Sequence, residues 1–218
     1  MRNMRTIAYC AVAAMFTLNG PASAQNWDEA TDGRGDAGEF LNTTQVTSGI
    51  GPLTTITGVL PGPNDVDIYR ILITDPVTFS ASSTGGLPYG PPRLFLFDAA
   101  GFGVTGYFDS TNLGASLSGV NVSTAGVYCL VMSGQPYPLG EDKGDKAVWF
   151  PGGGTDLERV PDGLGAGLPL GSWSPSIEPY DPTDYTLTLQ GAAYAPEPAT
   201  LSLLGIGSLT ILRRRRKR

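Results

Sequence analysis

Hydrophobic and polar residues alternate with a period of two in several short stretches of the chain. The stretch DVDIYRILI places Asp65 and Asp67 on one side of an extended strand, together with Tyr69, Ile71 and Ile73. We predict that Tyr69 and the two isoleucines enter a hydrophobic core. The later stretch YTLTLQ sets threonines between its aromatic and leucine positions, which predicts a strand with one face in water.

Six stretches have the length and the β-branched or aromatic composition of strands. The chain has 30 glycines and 18 prolines, which separate these stretches and disfavour long helices. We therefore predict an all-β protein in which residues 53–194 form a single β-sandwich of jelly-roll type. The predicted strands are residues 53–60, 65–73, 77–81, 93–98, 126–133 and 185–191.

Two further segments belong to this predicted domain. Residues 25–52 are an acidic N-terminal segment that leads into the sandwich. Residues 135–182 are rich in glycine and proline and exceed the usual length of loops in compact domains. This second segment is either a functional surface loop or a partly flexible excursion, and the sequence leaves both interpretations open.

Residues 1–24 have the three zones of a secretory signal peptide. Arg2 and Arg5 give a basic start, the apolar stretch IAYCAVAAMFTL follows, and Ala22 and Ala24 are the small residues that signal peptidase accepts at its cleavage site. We predict that signal peptidase removes this segment and that the remainder is exported.

The last residues of the chain combine a stiff polar tripeptide, an apolar run and a basic end. Pro196, Glu197 and Pro198 form the tripeptide, and residues 199–212 contain no charge. As a helix that run spans roughly 21 Å, less than the ~30 Å hydrocarbon core of a bilayer, which predicts a weak, temporary membrane anchor. A basic block after an apolar run is typical of a cytoplasmic stop. It consists of Arg213, Arg214, Arg215, Arg216, Lys217 and Arg218.

Residues 195–218 resemble the PEP-CTERM sorting signal of bacterial exported proteins, in which Pro-Glu-Pro precedes a short transmembrane helix and an arginine-rich end. The resemblance implies recognition by exosortase, a membrane-embedded transpeptidase-like enzyme that cuts near the tripeptide. It implies a protein that is anchored transiently in the membrane and then reaches the cell surface or the extracellular matrix. Exopolysaccharide is the partner we expect there.

The charge of the chain is distributed unevenly. Of the 14 basic residues, eight lie in the two terminal segments, whereas all 20 acidic residues lie between Asp28 and Glu197. Residues 25–198 therefore carry six basic and 20 acidic residues, a net charge of −14. We predict no nucleic-acid partner, because binding phosphates requires clustered lysine and arginine.

Few residues in the chain are suited to catalysis. There is no histidine, which removes Ser-His-Asp and Cys-His catalysis and imidazole zinc sites. Cys129 alternates with Val127 and Val131 and is predicted to be a buried packing residue. We predict a non-enzymatic protein with a structural or adhesive role. A secreted glycan hydrolase stays open as an alternative, since two carboxylates suffice for that reaction.

Oxygen ligands for a metal ion occur at two places. Asp65 and Asp67 share a strand face at its start, where calcium ligands can converge. Turn-forming aspartates that charge the edge of a sheet are the plainer interpretation. The stretch DEATDGRGDAGE at residues 28–39 is also acidic, but an EF-hand frame there has arginine and alanine where other residues are needed. We predict no obligatory cofactor and leave calcium open.

Three tryptophans lie outside the predicted strands. Trp149 and Trp173 lie in the long segment and Trp27 near the start, and exposed indole rings are good platforms for sugars. A carbohydrate-binding module that uses Trp149 and Trp173 on exopolysaccharide is therefore the alternative function. The competing interpretation is that these rings hold the long segment against the sandwich.

The strand that begins at Asp65 also resembles the bacterial pre-peptidase C-terminal domain, a small secreted jelly-roll sandwich whose signature reads Asp-x-Asp-x-aromatic-x-apolar. Asp65, Asp67, Tyr69 and Ile71 occupy those positions, and the stretches RLFLFDAAG, GVYCLVMSG and YTLTL are similar to its other core strands. The resemblance implies the same sandwich fold for most of residues 53–134.

Overall fold

The structure is a computed structural model of the 218-residue chain. It describes residues 25–62, 64–85, 92–108, 114–134, 146–150, 157–173 and 182–196. The predicted signal peptide, with Ala22 and Ala24, lies outside the described residues. So do Glu197, Pro198 and the predicted transmembrane helix and basic stop at residues 199–218.

The described residues form two mixed β-sheets. Twelve strands follow one another along the chain: β1 (Gln25–Asp28), β2 (Gln45–Val46), β3 (Leu53–Leu60), β4 (Val66–Ile73), β5 (Ser80–Thr84), β6 (Arg93–Asp98), β7 (Gly103–Phe108), β8 (Ser116–Ser118), β9 (Gly126–Ser133), β10 (Glu158–Arg159), β11 (Thr183–Gln190) and β12 (Ala192–Tyr194). The five-stranded sheet has the order β1-β3-β11-β5-β8. The seven-stranded sheet has the order β10-β7-β6-β9-β4-β12, with β2 also paired to β4. The pairs β1–β3 and β2–β4 are parallel. The all-β prediction is therefore confirmed for the described residues.

The main hydrophobic core lies between the two sheets. Tyr69, Ile71 and Ile73 of β4 are fully buried in it, as the alternation predicts. Leu187 and Leu189 of β11 enter the same core from the five-stranded sheet, while Thr188 between them stays on the solvent side. A period of two places one set of side chains on the inner face, so these strands can close a core from opposite sides.

The seven-stranded sheet is covered on its outer face as well. Phe95 and Phe97 of β6, with Cys129 and Val131 of β9, form a second buried cluster on that face. Residues 146–150 and 157–173, here called the outer segment, pack against it. Cys129 is buried, as predicted, and burial raises the pKa of its thiol. The described parts of the predicted 135–182 excursion are thus packed structure.

Two predicted elements differ in the structure. Residues 76–78 form a turn, and β5 begins only at Ser80. The Asp75 carboxylate accepts hydrogen bonds from the Val77 amide (3.0 Å) and the Thr78 hydroxyl (2.7 Å), so the turn chemistry of aspartate prevails over β-propensity. Trp27, placed outside the strands by the sequence pattern, lies in β1 and is buried.

Candidate functional site

The N-terminal loop, residues 29–37, follows β1 and folds back onto the end of the sandwich. A turn at Arg34 and Gly35, both with positive φ (66° and 130°), reverses its direction. Gln45 of β2 holds it: the Gln45 side-chain amide accepts from the Trp27 indole N–H (2.5 Å) and donates to the Gly35 carbonyl (2.8 Å). A side chain at Gly33 would overlap the Gln45 amide and displace it from these contacts.

The loop brings two of its carboxylates to β4. One carboxylate oxygen each from Glu29, Asp36 and Asp67 lies within 4.8 Å of the other two. Glu29 and Asp67 are buried, with 4% and 0% of their surface exposed, whereas Asp36 is exposed. Asp65 lies two residues before Asp67 and is also buried. These four residues are called the acidic cluster below.

Glu29 is held between two backbone segments. Its Oε1 accepts a hydrogen bond from the Ala37 amide (2.6 Å), and its Oε2 accepts one from the Val59 amide (2.8 Å). The first bond closes the N-terminal loop, and the second ties it to β3 of the five-stranded sheet. The position of this carboxylate is therefore fixed by the fold.

Tyr185 of the opposite sheet contacts both Asp67 and Tyr69 of β4. The Tyr185 hydroxyl of β11 donates to Asp67 Oδ2 (2.6 Å), and the Tyr69 and Tyr185 hydroxyls are 2.5 Å apart. Burial raises the pKa of both phenols well above the ordinary value, so both remain protonated and can donate. A side chain at Gly58 would overlap the Tyr185 hydroxyl and Glu29, which explains the glycine in this strand.

The described residues around the acidic cluster supply neither enough positive charge nor enough hydrogen-bond donors for its carboxylates. Burial, with the charges of Asp65 and Glu29 added, raises the pKa of Asp67 to about 10. Burial, with the charges of Asp36 and Glu29 added, raises the pKa of Asp65 to about 8. Asp67 Oδ1 and Asp65 Oδ2 are buried and accept no hydrogen bond from any described residue. Such a cluster calls for a proton or a cation.

Sequence reasoning found only part of this cluster. It singled out Asp65 and Asp67 but missed Glu29, which enters because the short strand β1 pairs in parallel with β3. The acidic stretch at residues 28–39 contributes Glu29 and Asp36 to the cluster, although it does not fit an EF-hand loop. Asp28 turns away to accept from the Thr31 amide (2.8 Å) and the Thr31 hydroxyl (2.9 Å), and Glu39 is exposed.

The tryptophans take the structural role. Trp149 is 0% exposed, and its ring packs on Phe95 and Phe97 at centroid distances of 4.9 and 5.5 Å. The prediction of an exposed sugar platform is therefore wrong for Trp149, because no face of its ring is accessible. Trp173 is half-buried against the same phenylalanines and donates its indole N–H to the Glu39 carbonyl (2.7 Å).

The C-terminal end of the sandwich leads directly into the predicted sorting tripeptide. Tyr194 of β12 donates its hydroxyl to the Asn26 carbonyl (2.9 Å), and the Ala195 amide donates to Thr47 Oγ1 (3.3 Å). Ala195 is buried, and Pro196 lines an apolar surface groove of about 850 Å³ beside β12. The folded body therefore extends to the residue before Pro196 with no spacer.

The described residues are all-β, and the predicted sorting tripeptide follows directly on their last strand, β12. Residues 195–217 match the PEP-CTERM protein-sorting motif. The match supports a protein that is exported and sorted through exosortase to the cell surface. No curated protein matches the chain. Within the described residues, no helix has the length and apolar character needed to cross a membrane.

Proposed function

We propose that this chain is a non-enzymatic, exported protein of the cell surface or extracellular matrix, with a structural or adhesive role for its jelly-roll-like sandwich. A signal peptide at residues 1–24 directs its export, and exosortase processes the tail after a stay in the membrane. The observation that carries the proposal is the sorting motif at residues 195–217, which follows directly on strand β12.

The position of the motif suits a signal that is cut away from a finished domain. Ala195 belongs to the sandwich through its hydrogen bond to Thr47, whereas the Pro-Glu-Pro tripeptide begins one residue later. Cleavage beyond Ala195 therefore removes no residue of the described core. The body left behind is strongly acidic, which favours solubility outside the cell.

A structural role also fits the residues available. The chain has no histidine, and Cys129 is buried with a raised pKa, which leaves its thiol protonated and inaccessible. Adhesion requires only a stable surface that exopolysaccharide or a neighbouring protein can contact.

Cell fractionation with intact-mass measurement tests the sorting step in strains with and without exosortase. With the enzyme present, we expect protein that lacks both residues 1–24 and the basic stop, outside the inner membrane. Without it, protein that retains the basic stop should stay in the membrane. A Pro196→Ala, Pro198→Ala double variant should behave as in the exosortase-free strain. Full-length protein in the inner membrane of the exosortase-containing strain would contradict the proposal.

The structural or adhesive role needs its own measurement. Deleting the gene should weaken cell aggregation or matrix cohesion, and the wild-type chain should restore it. A chain that restores aggregation without residues 195–218 would separate the adhesive role from sorting. An unchanged matrix in the deletion strain would contradict this role and leave the sorting result intact.

A further inference from the structure

The acidic cluster lacks a counter-charge among the described residues. Among the described residues, one ion pair is found, and it joins Arg159 to Asp162 in the outer segment, on the far side of the seven-stranded sheet. No basic side chain of the described residues forms an ion pair with the acidic cluster. Buried carboxylates so close to one another repel, and in proteins such groups are paired, protonated or bound to metal.

The unpartnered oxygens indicate what is missing. Asp67 is completely buried and Asp65 is 7% exposed, yet Asp67 Oδ1 and Asp65 Oδ2 accept no hydrogen bond. A cation supplies the partner that an unpartnered carboxylate oxygen lacks, and it also offsets the negative charge of the cluster.

We propose that the acidic cluster binds one calcium ion through Glu29, Asp36 and Asp67, with Asp65 beside them. The ion fastens the N-terminal loop to the sandwich. This proposal does not depend on how the tail is sorted.

The ligand atoms of the acidic cluster favour calcium over other metal ions. All four residues offer carboxylate oxygen, the chain contains no histidine, and Cys129 belongs to the cluster on the opposite face of the sheet. Hard oxygen ligands disfavour zinc and copper and suit calcium, which accepts six to eight oxygens including waters. Magnesium is bound by one or two carboxylates more often than by a cage of them. Asp36 is exposed and supplies the entrance through which the ion and its waters reach the buried ligands.

The ion would join parts of the molecule that the backbone keeps apart. Glu29 follows β1 of the five-stranded sheet, Asp67 belongs to β4 of the seven-stranded sheet, and Asp36 lies at the end of the N-terminal loop. Calcium at their centre therefore ties both sheets and the loop together. Without it, the loop keeps only its hydrogen bonds through Gln45 and Glu29, and the exposed Arg34 becomes easier to cleave.

Calcium titration of the full chain in detergent, after removal of metal with EGTA, tests the proposal. We expect one calcium ion per chain, with an affinity in the range of extracellular calcium modules, a Kd of about 10⁻⁴–10⁻³ M. Calcium should raise the thermal midpoint and slow tryptic cleavage after Arg34. Terbium should show sensitised luminescence, because Trp27 and Tyr185 lie near the site. Magnesium, titrated separately, should bind at least about tenfold more weakly.

Variants assign the site to its residues. Asp67→Asn should lower calcium affinity by at least about tenfold. Asp75→Asn is the matched control, since it removes the same charge at the other end of β4 and keeps an acceptor for the Val77 amide; its affinity should stay within about twofold of wild type. If Asp67→Asn does not fold, Asp36→Asn replaces it, because Asp36 is exposed and its change spares the core.

Four results would overturn the proposal. The first is the absence of stoichiometric binding at about 10 mM calcium, and the second is wild-type calcium affinity in both the Asp67→Asn and Asp36→Asn variants. The third is a loss of calcium affinity in Asp75→Asn as large as that in Asp67→Asn. The fourth is magnesium binding as tight as calcium binding.

Discussion

Two irregular segments pack against this sandwich, and they are held by different forces. The N-terminal loop is held by carboxylates and hydrogen bonds, with Glu29 and Gln45 at its anchor points. The outer segment is held by rings: Trp149 packs on Phe95, Phe97 and Phe108 at centroid distances of 4.9 to 6.4 Å. Apolar contacts of this kind are insensitive to ions, whereas contacts among carboxylates depend on protons and cations.

The outer segment is therefore expected to stay folded under all conditions, whereas the order of the N-terminal loop is expected to depend on protons and cations. The outer segment completes a second core on a sheet that would otherwise expose Phe95 and Phe97, so its loss should unfold the domain. The N-terminal loop covers the end of the sandwich, where its order depends on how the acidic cluster is neutralised. An exported protein can use such a loop to respond to its surroundings while its core stays fixed.

The largest effect should come from removing the central ring of the outer segment. Trp149→Ala leaves a cavity between Phe95 and Phe97 and should lower the free energy of unfolding by about 3–5 kcal/mol. Urea denaturation followed by circular dichroism measures it, and the loss should be the same in calcium and in EGTA. Phe150→Ala is the control, because Phe150 is 57% exposed and should cost less than about 0.5 kcal/mol. A calcium-dependent loss in Trp149→Ala would show that the two segments are coupled.

Removing calcium should have the next largest effect, and a local one. At 10 mM calcium and a Kd of about 10⁻⁴–10⁻³ M, binding stabilises the folded state by about 1.4–2.7 kcal/mol. Hydrogen exchange locates the change: in EGTA the Ala37 amide, which donates to Glu29, should lose protection. The Gly163 amide of the outer segment, which donates to the Val148 carbonyl (2.9 Å), should keep it. If the Ala37 and Gly163 amides lost protection equally in EGTA, the two segments would not respond independently to calcium.

The stability of the calcium-free protein should fall as the pH rises from about 4 to 8, the opposite of the rise that carboxyls of lowered pKa produce. The folded-state pKa of Asp65 is raised to about 8 from 3.8 by burial and by the charges of Asp36, Glu29 and Glu39. Between these values the unfolded chain releases a proton that the folded protein keeps. Stability is therefore full below about pH 4 and falls as the pH rises toward 8, by up to about 1.4 kcal/mol per pH unit for each such carboxyl.

Urea unfolding at pH 5, 6 and 7 in EGTA measures this slope. Asp67, with its pKa raised to about 10 by burial and by Asp65 and Glu29, adds to the effect in the same direction. The Asp65→Asn variant should show a shallower slope, whereas Asp75→Asn should match wild type. Stability that rises from pH 5 to 7 in EGTA would refute the assignment of buried, protonated carboxyls.

The sequence predicted what depends on periodicity and missed what depends on long-range pairing. The alternation in β4 and β11 placed Tyr69, Ile71 and Leu187 in the core correctly, because each strand carries its own pattern. The length of β3, β6 and β9 was equally readable from composition. Six of the twelve strands were missed. The strands β1, β2, β8, β10 and β12 have only two to four residues, which carry too little pattern. The sixth, β7, has six residues, but two of them are glycines, which are rare in strands.

The candidate site shows the same limit at the level of side chains. Asp65 and Asp67 stood out because they occupy a strand face that should be apolar. Glu29 and Asp36 could not be joined to them, because their convergence follows from the β1–β3 pairing and from the turn at Arg34 and Gly35. For a related reason, the sequence left two interpretations of Trp149 open, a sugar platform and a ring that holds the long segment. A tryptophan in a Gly/Pro-rich segment gives no sign of the sheet face that it covers.

The smallest effect concerns Cys129: removing calcium should leave the rate at which a maleimide labels its thiol unchanged. This thiol lies under the outer segment, 1% exposed, and burial raises its pKa, so a maleimide reagent should label it slowly at pH 7. Because calcium removal opens only the N-terminal loop, the rate in EGTA should equal the rate in calcium, as followed by peptide mass spectrometry. Trp149→Ala serves as the positive control, since loss of the covering ring should speed labelling in both buffers. A faster reaction in EGTA alone would show that opening at the acidic cluster spreads through β4 to the outer face, and the two segments would then belong to one cooperative unit.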